Sequence, residues 1–288
     1  NDFMQHELDW FTYAGIVEGA RQHGYDVLTM SRSDSDWGSE GEKLRFLDRR
    51  SDGFIFAISM RGRWEAAIDL VAENAIPSVV CYRRQVPKRV AWVDIDNLGA
   101  QRQAVQHLAQ NGHRRIAYLS GPTDNYDAVE RCNAWKTAMR ECDLPVHDNY
   151  VVHGNNAYYV QQPKAIASVA TLDVTAVVCF NDTLALALWD SLEAQGLRVP
   201  DDISLIGMDN RPEAAERGLS SIAHSFADVG RLAMKAWIKL KNGSDVADCC
   251  DVSTTHLVSR SSVRKLHHSQ DRLYVQPALL SSTRYAKT

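Results

Sequence analysis

The chain has 288 residues, with 32 Lys and Arg against 36 Asp and Glu for a formal charge of -4, and 45% of its residues are hydrophobic. This length suits one large α/β unit or two lobes with their own cores, and the composition excludes disordered and fibrous classes. The mildly acidic balance argues against a chain that coats nucleic acid by itself, because neutralising phosphates requires a basic face. No apolar run is long enough to span a bilayer, and Asn1-Asp2-Phe3-Met4-Gln5-His6-Glu7 carries no basic region followed by an apolar one.

In chain order, short apolar runs alternate with segments of helical spacing, a parallel-sheet rhythm. A helix is predicted over 9–23, with Ile16 and Ala20 four apart and Gly24 closing it. Strands are predicted over 25–30, 53–58 and 78–82. The segment 98–111 places Ala100, Ala104, Val105 and Leu108 on one stripe before the left-handed stop offered by Gly112. Further strands are predicted over 115–119, 150–153, 175–180, 203–208 and 221–224. Between them, Asp182 is read as the cap of a helix lined by Leu184, Leu188 and Leu192 and closed by Gly196. Continuous apolar runs such as Thr175-Ala176-Val177-Val178-Cys179-Phe180 suggest strands covered on both faces. The last residues, 267–288, read as a loosely ordered tail.

Six cysteines, at positions 81, 132, 142, 179, 249 and 250, show no metal-ligand spacing and suit buried reduced thiols in a cytosolic protein. The arginines at 32, 49–50, 83–84 and 114–115 read as solvated edges. Ten histidines and the many carboxylates invite a search for catalytic chemistry. The chain holds no GxSxG elbow, phosphate-binding GxxxxGK loop, HExxH pair or GxGxxG turn after a strand, so the reading is not an enzyme, and no cofactor or metal is expected. In parallel sheets ligands sit at the carboxyl ends of the strands. The residues there are Ser59, Arg61 and Arg63; Arg83; 121–126; Asn155 and Asn156; Asn181 and Asp182; Asp209 and Asn210; and Ser225 and Phe226. Amides, carboxylates, guanidinium groups and rings together suit a hydroxyl-rich ligand.

Two blocks are distinctive. Gly112-His113-Arg114-Arg115-Ile116-Ala117-Tyr118-Leu119-Ser120-Gly121-Pro122 is followed, at the right distance, by Phe180-Asn181-Asp182-Thr183-Leu184-Ala185 and Val199-Pro200-Asp201-Asp202-Ile203-Ser204-Leu205-Ile206-Gly207-Met208-Asp209-Asn210. With Asp52-Gly53-Phe54-Ile55, Ile76-Pro77-Ser78-Val79-Val80, Asp96-Asn97-Leu98-Gly99-Ala100 and Leu257-Val258-Ser259-Arg260-Ser261-Ser262, this ordered set resembles the regulators of the lactose and galactose repressor (LacI) family over about residues 10 to 265. The resemblance implies the effector-binding and dimerisation core of a cytoplasmic transcription regulator. Its fold would be α/β, with two Rossmann-like lobes as in type I periplasmic binding proteins. The first lobe would take 1–95 and 226–248, and the second 96–225 and 249–266, with three crossings as a hinge. A small sugar-like effector would fill the cleft and bias lobe closure and dimer geometry. The same fold serves secreted solute-binding proteins of transporters, which stand as the alternative.

The family's amino-terminal helix-turn-helix and first strand find no counterpart before His6 to Trp10. Operator binding is therefore expected of a longer parent protein. The resemblance assigns ligand contacts to Arg131, whose planar fork can hold two hydroxyls, and to Asp209. Asn181 is either a contact or a loop-closing amide, and His224 and Phe226 fall at crossover positions. Trp10 is either a sugar-stacking ring or a packing residue. Tyr82 stands where the family often carries Asp, followed by Arg83; Tyr158 and Tyr159 either wall the cleft or pack. Homodimerisation is expected through first-lobe helices around 40–49 and 64–75.

Overall fold

A computed structural model describes residues 7–30, 40–57, 64–157, 160–161 and 163–266. Helices α1 (Glu7–Gln22) and α2 (Glu40–Leu47) precede β1 (Phe54–Ala57), α3 (Glu65–Glu73), β2 (Ser78–Cys81) and β3 (Ala91–Ile95). Then come α4 (Asn97–Gln110), β4 (Ile116–Ser120), α5 (Tyr126–Glu141), β5 (Val151–His153), a small hairpin of β6 (Asn155–Ala157) and β7 (Val160–Gln161), and α6 (Pro163–Ser168). The chain continues through β8 (Ala176–Cys179), α7 (Asp182–Ala194), β9 (Ser204–Met208), α8 (Pro212–Arg217), β10 (Ser220–Ala223), α9 (Phe226–Lys241), β11 (Asp251–Ser253) and β12 (His256–Val258).

Two main sheets result. The first lobe holds β1-β2-β3-β11, all parallel, and the second holds β12-β10-β9-β8-β4-β5, parallel except for β12. Strands β4, β8 and β9 are buried at every position, as expected of strands covered by helices on both faces. The helices begin where the strands end. Asp96, Asn125, Asn181 and Ser225 each accept a backbone N–H three residues on and cap α4, α5, α7 and α9. The cap of α7 is thus Asn181 and not Asp182, whose carboxylate is buried and engaged elsewhere.

The structure departs from the sequence reading in other places too, among them the unpredicted short strands β6, β7, β11 and β12. Residues 25–30 form no strand and join no ladder among the described residues; Tyr25 and Val27 pack on the core, while Leu28 is exposed. Strand β3 escaped notice because Asp94 interrupts its apolar run, yet that carboxylate is fully buried. The last crossing between lobes lies at Thr254 and Thr255 and not at 249, because β11 pairs with β3 whereas β12 pairs with β10. The Gln103 amide on α4 grips this linker, donating to the Thr255 carbonyl and hydroxyl and accepting from the Leu257 N–H. His113 ties the second lobe to the chain's later residues, meeting Thr175 Oγ1 at 2.9 Å and the Arg264 carbonyl at 3.1 Å.

Helix α9 begins at another crossing and packs along α1 and against β2 and β3. The helices meet through glycines: a Cβ on Gly15 would lie 2.0 Å from the Ala227 carbonyl oxygen, and one on Gly230 2.1 Å from that of Thr12. Neither obstacle is a flexible side chain, so an added methyl group forces the helices apart. Gly230→Ala is expected to cost at least about 2 kcal/mol of stability in urea unfolding.

Candidate functional site

Residues just after β8, β9 and β10 gather at Arg131, in the second turn of α5. Its side chain is almost wholly buried, so its charge must be met by fixed acceptors. Nε donates to Asn97 Oδ1 at 2.9 Å and Nη1 to the Phe180 carbonyl at 3.0 Å, with the guanidinium carbon 4.9 Å from the centre of the Phe180 ring. Nη1 also stands 4.0 Å from Asp209 Oδ1. That same oxygen lies 3.0 Å from His224 Nε2. When the ring is neutral and Nε2–H donates to the carboxylate, Nδ1 is an acceptor; it is buried and has no hydrogen-bond partner among the described residues.

Aromatic rings close one side. His224 packs edge-on to Phe226 at 4.3 Å, and Phe226 meets Tyr82 at 6.2 Å, also edge-on. The Tyr82 hydroxyl pairs with Thr12 on α1. Three residues here hold left-handed backbone: Tyr82 at φ 64°, Asp209 at φ 105° and Asn210 at φ 53°. For Tyr and Asp this conformation is strained, and strain of this kind gathers at sites where geometry matters more than stability. The Asp209 N–H is held by the Ile222 carbonyl and the Asn210 amide by Arg260.

The sequence-derived residues therefore divide. Arg131, Asp209, His224, Phe226 and Tyr82 form one cluster, with Asn181 beside the Phe180 carbonyl but committed through its side chain to the Leu184 N–H. Arg83 turns from the cluster: Nε donates to the Gln85 carbonyl, Nη1 reaches Glu65 at 3.4 Å, and the guanidinium lies over Tyr126 at 4.6 Å. With Arg84 Nε on Asp94 at 2.8 Å, the Arg83-Arg84 pair is embedded at the lobe boundary and is not a solvated edge. Trp10 is half exposed, its ring 5.6 Å from that of Tyr13. Ser59, Arg61, Arg63, Tyr158, Tyr159, the side chains of Asn155 and Asn156, and the tail at 267–288 lie outside the described residues.

Sequence reasoning missed Asn97 and Asp127, whose side chains meet at 3.1 Å and position Arg131 from behind. The available signal was spacing, since Asp127 and Arg131 are four apart on α5 and share a face. It also missed the role of Asp182, which accepts from the Ser221 hydroxyl at 2.7 Å and the Arg211 N–H at 2.8 Å.

Comparisons with known proteins place the chain in a family. Residues 105–263 match the family model of the periplasmic binding protein-like domain. The chain is 30% identical over 261 residues to the HTH-type transcriptional repressor CytR of Escherichia coli (strain K12), covering 88% of this chain and 74% of that protein. It is 32% identical over 266 residues to the HTH-type transcriptional regulator CelR of Thermobifida fusca, covering 87% and 75%. The chain belongs to the LacI family. A solved CelR–cellobiose complex superposes with a TM-score of 0.75 at 26% identity, covering 91% of this chain and 80% of that one. These LacI-family relatives are transcription regulators, so the chain is the core of a regulator and not a transporter's binding protein. No helix among the described residues is long and apolar enough to cross a membrane.

Burial also sets a pH dependence. It pushes the Asp182 carboxyl up to about 7, with nearby Asp209 adding to the rise, and it raises Asp127 despite Arg131 beside it. A carboxyl raised on folding contributes stability that is fully present below its unfolded value and lost as pH rises through the folded one. Stability in urea is therefore expected to fall by about 1 to 3 kcal/mol between pH 6 and pH 8, measured at constant ionic strength.

Proposed function

We propose that this LacI-family core binds a small sugar in the cleft between its lobes, and that binding shifts the balance between open and closed lobes without turning the ligand over. The observation that carries this reading is the Arg131–Asp209–His224 cluster, in which a buried guanidinium, a carboxylate and an unpartnered ring nitrogen gather at strand ends beside a lobe crossing. A sugar hydroxyl is both donor and acceptor. It can donate to Asp209 or His224 Nδ1 and accept from Arg131, while Phe226, Phe180 and Tyr82 offer apolar faces to C–H groups.

The regulatory step follows by linkage. A ligand that contacts groups of both lobes favours the closed state, and a coupling of about 1 to 3 kcal/mol suffices to change a second site's affinity. We assign that second site to operator DNA, bound through a helix-turn-helix domain of a cytoplasmic homodimeric parent. Support comes from family membership and from relatives named as HTH-type regulators; the bound cellobiose in one related structure supports the sugar class.

Thermal unfolding against cellobiose, other mono- and disaccharides, sugar phosphates and nucleosides tests the reading. Ligand at ~100 times its Kd adds about 2.7 kcal/mol of stability, a rise of roughly 2 to 4 °C or more in Tm. At least one sugar is expected to produce it. Arg131→Lys, which keeps the charge and loses the fork, and Asp209→Ala are expected to abolish it. A cooperative melt moved only by nucleosides, or by nothing in the panel, would count against a sugar effector.

A further inference from the structure

Helix α5 carries two adjacent stripes. Asp127 and Arg131 face the buried cluster; Tyr126 and Glu130, also four apart, reach across the cleft to the first lobe. The Tyr126 hydroxyl donates to Glu65 Oε1 at 3.2 Å, and Arg83, which bonds the same carboxylate, lies over the Tyr126 ring. One turn on, Glu130 Oε1 stands 3.3 Å from Arg84 Nε. Arg84 is anchored in its own lobe by Asp94, by the Ile95 carbonyl at 3.1 Å and by the Trp92 ring. These contacts engage the mouth of the cleft, on the helix that also holds Arg131.

We propose that Tyr126 and Glu130 form a clasp that holds the lobes shut through Glu65, Arg83 and Arg84, and that the clasp takes up a proton as it closes. Charge counting at Glu130 supports the second half. Arg84 is shared between two carboxylates from opposite lobes, Asp94 of β3 and Glu130 of α5, with Asp127 on α5 and Asp96 at the start of α4 adding negative charge nearby. One guanidinium cannot neutralise both. Burial, then Asp94, pushes the Glu130 carboxyl up to about 7, with Arg84 opposing and Asp127 adding to the rise. Opening the cleft returns Glu130 to water and to the ordinary carboxylate range. The closed state therefore binds the extra proton, and lowering the pH through 7 favours closure.

This inference rests on the cleft reading for the meaning of closure, but its test uses no effector, so its failure is distinguishable from a wrong sugar assignment. Single-molecule energy transfer would be read between dyes on noncanonical residues at exposed Glu73 on α3 and Arg140 on α5, in the full chain. The closed-to-open ratio is expected to rise about tenfold from pH 8 to pH 6. Glu130→Gln, which keeps size and removes the titrating group, is expected to reduce that response to less than about twofold. Tyr126→Phe should lower the closed population at both pH values while keeping the pH response, because it leaves Glu130 in place. Circular dichroism confirms that each variant is folded, and Tyr126→Phe serves alone if Glu130→Gln does not fold. A wild-type ratio insensitive to pH, a full response surviving in Glu130→Gln, or a closed population unchanged in Tyr126→Phe would overturn the proposal.

Discussion

A buried guanidinium is among the most demanding groups a fold can contain, and the placement of Arg131 constrains much of what surrounds it. Left unpaired in this interior it would cost several kcal/mol, so its acceptors have to be in place before any ligand arrives. They come from separate parts of the chain: Asn97 at the first crossing, the Phe180 carbonyl at the end of β8, and Asp209 at the end of β9. Two of these are themselves held, Asn97 by Asp127 and Asp209 by His224. The strand ends are thus linked by charge-assisted contacts as well as by ladder hydrogen bonds, and the network reaches the crossing before α9.

In the proposed mechanism, binding and closure share one element. Helix α5 begins at a cap after β4, presents Arg131 to the cluster one and a half turns later, and carries on its neighbouring face the side chains that touch the first lobe. A small rotation of α5 about its axis would alter both sets of contacts together. In a packed interior such changes occur between discrete arrangements and not by gradual yielding, the behaviour a regulator needs.

Much of the fold was legible in the sequence, because period and punctuation are local. The apolar runs at β2, β4, β8 and β9 and the stop at Gly112 or Gly196 could be read directly, and the ordered family blocks joined them into two lobes. What failed was whatever depended on distant partners. The strand around Asp94 was hidden by a carboxylate that the Ile95 N–H and a distant Arg84 satisfy, the run at 25–30 had the right pattern but pairs with no strand among the described residues, and the place where the chain last changes lobe was set by which sheet accepts Val252 and Leu257. At the candidate site, Asp209 was singled out by its position after a strand and by family likeness, and Arg131 by family likeness alone; the structure places the two in one cluster. The fate of Arg83 could not be read, since it depends on Glu65 and Tyr126 standing on opposite sides of the cleft.

The two short strands near residue 255 also bear on synthesis. Each sheet takes one strand from residues 251–258, and His113 and Leu266 join the second lobe's early residues to a segment later still. Neither lobe can complete its sheet while the ribosome still holds that stretch, although most of both is already available. Such long-range closure is slow relative to local helix formation and leaves partly built sheets exposed meanwhile. The topology that passes the chain between the two sheets three times thus makes the nascent chain finish both halves together, once residues 251–266 have emerged.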